Sequence, residues 1–270
     1  MNNERFGLIG RLDIHNVEHE KTRLGPLRDG GYVLPKDLLK QIDLLMVFGV
    51  SNDVDFELDY IEKYPETKVY LYDHTIESLP KVHANFRYKK VGIGPRQEKD
   101  LNTLVHFLEE VDPSNKCRKM LKLDIEFNEW EVIENSPQEV FSQFDLIVIE
   151  LHLAFVEYLG KHSPYFSSFF ETVYGKINRD LACKYIGSIE KLQTTHLVSH
   201  AHVNNSLPSI DIDCGGGLEK LPQLVELTLV RRDLVPNAYK ADIFVPIKGV
   251  DYPNKPDRPD YDLTGNIIYG

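Results

Sequence analysis

Between residues 43 and 151, short apolar runs rich in β-branched residues alternate with longer segments of helical spacing, and this alternation constrains the fold more than any other feature. The runs are 43–49, 68–73, 86–93, 119–125 and 145–151. Most of the segments between them, 54–63, 76–84, 101–111 and 129–143, place their apolar residues at helical intervals. Strand alternating with helix implies parallel strands joined by crossovers, hence an α/β sheet with helices on both faces. Two further strand-like runs, 195–203 and 223–231, flank a loop containing Gly215, Gly216 and Gly217 and predict an antiparallel pair closing the sheet. Residues 1–270 read as one domain, with an N-terminal extension (1–42), a helical, aromatic-rich insertion (154–192) and an irregular tail (236–270).

Charge narrows the partners. With 31 basic against 42 acidic residues the net charge is −11, which argues against nucleic acid and against an anionic membrane surface. A small molecule or glycan is the expected partner, and a homodimer is compatible with the apolar faces. The cysteines Cys117, Cys183 and Cys214 are odd in number and far apart, so they form neither a disulfide framework nor a metal knuckle. No basic n-region with an apolar h-region opens the chain, and no apolar window is long enough to span a bilayer. The expected compartment is the cytoplasm.

Ligands of such sheets bind outside the carboxyl ends of the strands. The first run ends in Phe48-Gly49, followed by Asp53, Asp55 and Glu57 at a helix start. The Gly-x-Gly-x-x-Gly that a pyrophosphate requires is missing, and three carboxylates suit a cationic ligand better. Asp73 ends the second run, placed either to accept from two ribose hydroxyls or simply to cap a helix. Together the two ends fit an adenosine with a sulfonium, as in S-adenosylmethionine. The fourth and fifth runs deliver Asp124 with Glu126, and Glu150 with His152. On neighbouring strands these converge as carboxylates and an imidazole suited to Mg²⁺ or Mn²⁺, or serve as a helix cap and a salt bridge. Period 2 puts His196, His200 and His202 on one face, with His200 or His202 as general base, metal ligand or substrate ligand and His196 structural. Asp29-Gly30-Gly31-Tyr32 is either a plain β-turn or a close backbone approach to a ligand.

The segments RLGPLRDGGYV (23–33), VFGVSNDVDFE (47–57), VYLYDHT (69–75), LKLDIEFNEWEVI (121–133), VIELHL (148–153), HLVSHAHVNN (196–205) and LPQLVELTLVRRD (221–233) occur in this order. As a series they resemble FkbM-like S-adenosylmethionine-dependent O-methyltransferases of sugar and surface-polysaccharide biosynthesis. The resemblance implies a class I methyltransferase (Rossmann-like) fold, a seven-stranded sheet of order 3-2-1-4-5-7-6 with the last strand antiparallel. It implies a cofactor-binding set of Gly31, Tyr32, Phe48, Gly49, Asp53, Asp73, His74, Asp124 and Glu126. Asp73 would hold the ribose, and Asp124 with Glu126 the methionine end. An accompanying Mg²⁺ or Mn²⁺ would be held by Asp124, Glu150 and His152. The sequence departs from the family at the missing second glycine of the first motif and at Phe127, which replaces a glycine.

The implied reaction is in-line methyl transfer to an oxygen, with His200, His202 or His152 taking the proton and Asp124 in the catalytic set. The acceptor class is a sugar hydroxyl of a capsule or surface-polysaccharide precursor; a phosphate or phosphoramidate-type oxygen is a variant. Tyr165, Phe166, Arg179 and Lys184 are placed by position to line the acceptor pocket, within 154–192 and beside the loop 206–220. Competing readings are a nucleotide-dependent oxidoreductase, a metal-dependent hydrolase using Asp124, Glu150 and His200, and a catalytically silent partner module.

Overall fold

The seven apolar runs pair into one sheet. The computed structural model describes residues 12–153, 179–213, 218–240, 246–263 and 267–268. Its sheet strands are β1 (Leu44–Phe48), β2 (Lys68–Tyr72), β3 (Phe86–Lys89), β4 (Lys119–Leu123), β5 (Leu146–His152), β6 (His196–Val203) and β7 (Leu224–Arg231). The order across the sheet is β3-β2-β1-β4-β5-β7-β6. The first five are mutually parallel, and β7 runs antiparallel to both β5 and β6. Every residue of β1, β4 and β5 is buried, as expected of parallel strands covered on both faces.

Among the described residues the sheet is accompanied by α1 (Asp55–Lys63), α2 (Leu104–Val111), α3 (Glu129–Asn135), α4 (Gln138–Phe141) and α5 (Arg179–Thr195), besides a single helical turn at Lys36–Leu39. On one face Phe107, Trp130, Ile133, Phe141 and Tyr185 pack onto Met46, Leu121 and Ile149. The rings of Trp130 and Tyr185 stack there at 4.0 Å. The other face is covered by α1 and by a hairpin, Lys21–Leu24 with Tyr32–Pro35, whose Leu24 and Leu34 join Phe56 and Tyr60 against Leu45, Met120 and Val148. The Thr228 hydroxyl of β7 donates to the Val33 carbonyl at 2.7 Å and ties the hairpin to the sheet. The expected N-terminal extension is thus, over 21–35, a layer of the fold.

Four expectations change. Residues 76–84 are turns rather than a helix, since Pro80 disfavours helical backbone at Leu79. The run 86–93 divides, because Gly92–Ile93 pairs with Leu101–Asn102 instead of continuing β3. Segment 129–143 breaks into α3 and α4 at Ser136-Pro137, where proline lacks the amide to continue the ladder. Within the expected loop 206–220, Ile210–Asp213 pairs with Leu218–Leu221 as a hairpin. Of the helical insertion, 154–178 lies outside the described residues, as does the glycine run at 215–217. Among the described residues no helix is long and apolar enough to cross a membrane.

Candidate active site

β1 leaves the sheet through a turn that demands glycine. Gly49 has φ +82°, and a Cβ there would overlap the carbonyl oxygen of Asp124. The approach is close because the Asp124 amide donates to the Phe48 carbonyl at 3.1 Å. The next two amides, of Val50 and Ser51, donate to Asp73 Oδ2 at 2.9 and 2.8 Å. Asp73 Oδ1 accepts from the Thr75 amide at 2.7 Å and its hydroxyl at 2.6 Å. Burial pushes the Asp73 carboxyl up, but these bonds outweigh it and hold it below the usual range. The carboxylate expected to take ribose hydroxyls therefore has its acceptor positions filled by the chain, and it locks the turns after β1 and β2 together. The amides that would face a pyrophosphate point at Asp73 instead, which leaves the turn unsuited to a dianion.

Beyond β4 the chain turns through two left-handed residues, Glu126 (φ +52°) and Phe127 (φ +77°), a conformation that glycine adopts far more readily. The Phe127 ring packs on the His152 imidazole at 5.1 Å. The turn aims Glu126 at His152, Oε2 to Nε2 at 3.2 Å, while Glu129 of α3 faces Nδ1 at 3.1 Å. Glu129 Oε1 also accepts from the Ile125 amide at 2.7 Å. Burial opposes a charge on His152, yet Glu129 and Glu126 outweigh it and hold the imidazole well above its ordinary range. Burial pushes the Asp124 carboxyl up to about 6, with His152 and Lys122 pulling the other way. With a carboxylate on each ring nitrogen, His152 would have to break an ion pair to act as base or metal ligand. The expected Asp124, Glu150 and His152 triad is accordingly divided, with Asp124 and His152 grouped with Glu129.

Glu150 belongs to a second group. It stands opposite Glu226 in the β5–β7 register, and carboxylate oxygens of Glu150, Glu226 and Asp29 lie within 4.8 Å of one another. Asn204, just past β6, donates to Glu150 Oε1 at 2.6 Å and Asp29 Oδ1 at 3.0 Å. Asn254, from the tail, donates to Glu226 Oε1 at 2.6 Å and Asp29 Oδ1 at 3.1 Å. Burial and the neighbouring Asp124 hold the Glu150 carboxyl well above its ordinary range. Lys122, buried in the middle of β4, pairs with Glu57 Oε1 at 3.1 Å. Its ammonium also lies 5.5 and 5.7 Å from the ring centroids of Tyr32 and Phe56.

The three histidines of β6 do not share a face. A β-bulge between Val198 and His200 shifts the register, and an extra residue reverses the alternation beyond it. His196 bonds the Phe144 carbonyl at 3.0 Å, whereas His200 pairs with Asp251 at 2.8 Å and His202 with Glu226 at 3.3 Å. Burial lowers His202, but Asp260 and Glu226 raise it to about 10, so it stays charged and cannot serve as a base near neutrality. His200 is lowered by burial. Both are buried and neither borders the cleft.

That cleft, of about 1700 Å³, opens at the carboxyl ends of β1, β2, β4 and β5. Tyr32, Gly49, Asp53, Asp73, His74, Asp124, Glu126 and Glu150 line it, and so does Lys184. Gly31 instead packs against Pro26 and Arg23, and Phe48 is a core residue stacked on Tyr72 at 5.0 Å. Tyr165, Phe166 and the Arg179 side chain lie outside the described residues. Lys122 and Glu226 escaped the sequence reading although both interrupt apolar runs, the one available sign of a buried charge. Glu129 and Asn254 carry no comparable signal.

The strand order, with β7 antiparallel and a cleft where the order reverses between β1 and β4, defines a class I methyltransferase (Rossmann-like) fold. No protein-family model and no curated protein matches the chain. Among solved structures it is similar to a fibrillarin pre-rRNA processing protein of Methanococcus jannaschii, at 10% identity and TM-score 0.33 over 72% of this chain and 68% of that one. It is similar to a putative caffeoyl-CoA O-methyltransferase from Staphylococcus aureus at 12% identity and TM-score 0.35, over 72% and 81%. Human N-acetylserotonin methyltransferase in complex with SAM aligns at 10% identity and TM-score 0.28, over 72% and 48%. Likeness this distant adds nothing to what the topology defines by itself.

Proposed function

We propose that the protein is an S-adenosylmethionine-dependent methyltransferase acting on a hydroxyl oxygen. The observation that carries this reading is the charge of the cleft: among the described residues ten carboxylate side chains line it against five lysines and arginines. Its first turn spends its amides on Asp73 rather than on a phosphate. Such a site suits a nucleoside with a cationic tail and disfavours a dinucleotide. Bound there, S-adenosylmethionine supplies a methyl group on a sulfonium, which is already a strong electrophile.

The chain's own residues then have two tasks, alignment and removal of one proton. Gly49 and the Asp73-locked turns shape the nucleoside end, and Asp53, Asp124 and Glu126 supply negative charge along the wall. None of the three histidines expected as base borders the cleft; of the expected catalytic set Asp124 alone does, and its carboxyl at about 6 is matched to proton removal near neutrality. The acceptor class is a sugar hydroxyl of a surface-polysaccharide precursor, in keeping with the resemblance and with Asp29, Glu150 and Asn254 as hydroxyl partners on the inner wall.

Calorimetric titration with S-adenosylmethionine and its demethylated product tests the reading directly. Saturable binding of both, weakened by about tenfold (~1.4 kcal/mol) in Asp124→Asn, is the expected result. Absence of binding to the folded protein removes the methyltransferase reading and favours hydrolase chemistry.

A further inference from the structure

The ring of Tyr32 is fixed by its neighbours, yet its hydroxyl is unused. The residue faces Leu24 across the hairpin, its ring stands edge-on to Phe56 at 5.3 Å, and the Lys122 ammonium lies 5.5 Å from the ring centroid. Tyr32 is 3% exposed and borders the cleft. Among the described residues its hydroxyl makes no hydrogen bond. A tyrosine buried to this degree ordinarily finds a partner for its O–H.

The surroundings of the hydroxyl limit what can meet it. Burial holds the phenol well above its ordinary range, and the charges of Asp124 and Glu150 add to the rise, so the group is a neutral O–H. Both carboxylates border the same cleft, but neither accepts from the phenol; Glu150 Oε1 takes the Asn204 amide instead. A group that bridges phenol and carboxylate accepts a hydrogen bond on one side and donates one on the other, as a hydroxyl does. An anion there would meet two carboxylates, and an ammonium would lie beside the Lys122 charge.

We propose that the Tyr32 hydroxyl is a specificity-determining contact for the methyl acceptor, donating to a hydroxyl adjacent to the one that loses its proton to Asp124. The acceptor class is then a polyol with neighbouring hydroxyls. The proposal rests on the methyltransferase reading for its chemistry, while the contact itself is a binding interaction with no covalent step. The resemblance gives Tyr32 to the cofactor. The structure instead sets its phenol among the carboxylates at the ends of β4 and β5, where the proton-accepting Asp124 stands, and beside the positive charge of Lys122. A ring clamped by Phe56 and Lys122 holds its O–H without further ordering when the acceptor arrives.

Full-length wild type and Tyr32→Phe are titrated with S-adenosylmethionine by calorimetry. Both are then titrated, with and without the demethylated product, with the methyl α-glycosides of glucose, galactose and mannose and their monodeoxy analogues, and binding is read by saturation-transfer NMR. At least one glycoside is expected to bind the wild type saturably, and Tyr32→Phe to weaken it by about fivefold or more. The monodeoxy analogue lacking the contacted hydroxyl should bind both proteins alike, as a thermodynamic cycle requires. Affinity for S-adenosylmethionine should stay within about threefold, and the urea midpoint should match wild type because the hydroxyl removed bonds no part of the described chain. Equal glycoside binding by the two proteins, or none by protein that holds S-adenosylmethionine, overturns the proposal and leaves the methyltransferase reading intact. Loss of S-adenosylmethionine binding in Tyr32→Phe also overturns it, by assigning the hydroxyl to the cofactor's ammonium group. If the wild type binds no S-adenosylmethionine, the methyltransferase reading fails, and the polyol contact stands or falls with Tyr32-dependent glycoside binding.

Discussion

The carbonyl oxygen of Asp124 occupies the space in which Gly49 would carry a Cβ. The two residues end adjacent parallel strands, and their backbones touch at the floor of the cleft. Gly49→Ala therefore meets two penalties, a left-handed φ of +82° and a backbone clash. Strain and overpacking of about 1–3 kcal/mol each predict a loss of about 2–6 kcal/mol in urea denaturation, with donor binding lost as well. Gly187 is the control: it lies in α5 with nothing within 4 Å of a Cβ. Gly187→Ala should gain about 0.5–1 kcal/mol.

That Asp124 and Glu150 both border one cleft was legible in the sequence because neighbouring parallel strands present their ends at one edge. What was not legible required an interruption of period. The bulge between Val198 and His200 moves His200 and His202 off the face that simple alternation assigns them. Pro137 divides one expected helix into α3 and α4 and so sets where Trp130 and Glu129 stand. Asn254 and Asp29 meet across 225 residues, a contact made by tertiary packing with no local trace. Asp73 stands just past β2, where alternation of runs and helices places it, but its partners are the chain's own amides and the Thr75 hydroxyl, which no local pattern announces.

Lys122 and Glu57 form a buried pair, at 8% and 1% side-chain exposure. Lys122→Met leaves Glu57 buried without its counter-charge, and removes positive charge that faces Asp124 and Glu150. Breaking one side of such a pair costs about 3–5 kcal/mol. Glu57→Gln combined with Lys122→Met should be more stable than the sum of the single losses, with a coupling of about 1–3 kcal/mol in a double-mutant cycle. Strict additivity would show that the two charges do not depend on each other.

Phe127 has φ +77° at a position where the resembled family carries glycine. Relief of the backbone in Phe127→Gly is worth about 1–3 kcal/mol. The ring, however, is 6% exposed and packs on His152, and loss of a buried phenylalanine costs about 3–5 kcal/mol. Packing outweighs strain, so the variant should be destabilised by about 1–3 kcal/mol. A more stable variant in thermal or urea melts would mean that the strained turn, not the aromatic contact, dominates.

His196 sets a pH dependence that can be isolated from the cleft. Its Nε2 bonds the Phe144 carbonyl at 3.0 Å, and its Nδ1 lies 2.8 Å from the Thr195 hydroxyl. Burial pushes the imidazole from 6.5 down to about 4, the Phe144 carbonyl pulls upward, and Arg231 adds to the fall. Folding thus favours the neutral ring. The stabilisation is complete above the unfolded value of 6.5 and is lost as pH falls through the folded value of about 4, because the unfolded chain takes up the proton first. That interval corresponds to about 3 kcal/mol. His196→Gln removes the titration while keeping a donor for the Phe144 carbonyl. Urea denaturation of the wild type should show stability declining between pH 6.5 and 4, and the variant should show a flatter profile over the same range. Parallel profiles would assign the acid sensitivity to other groups.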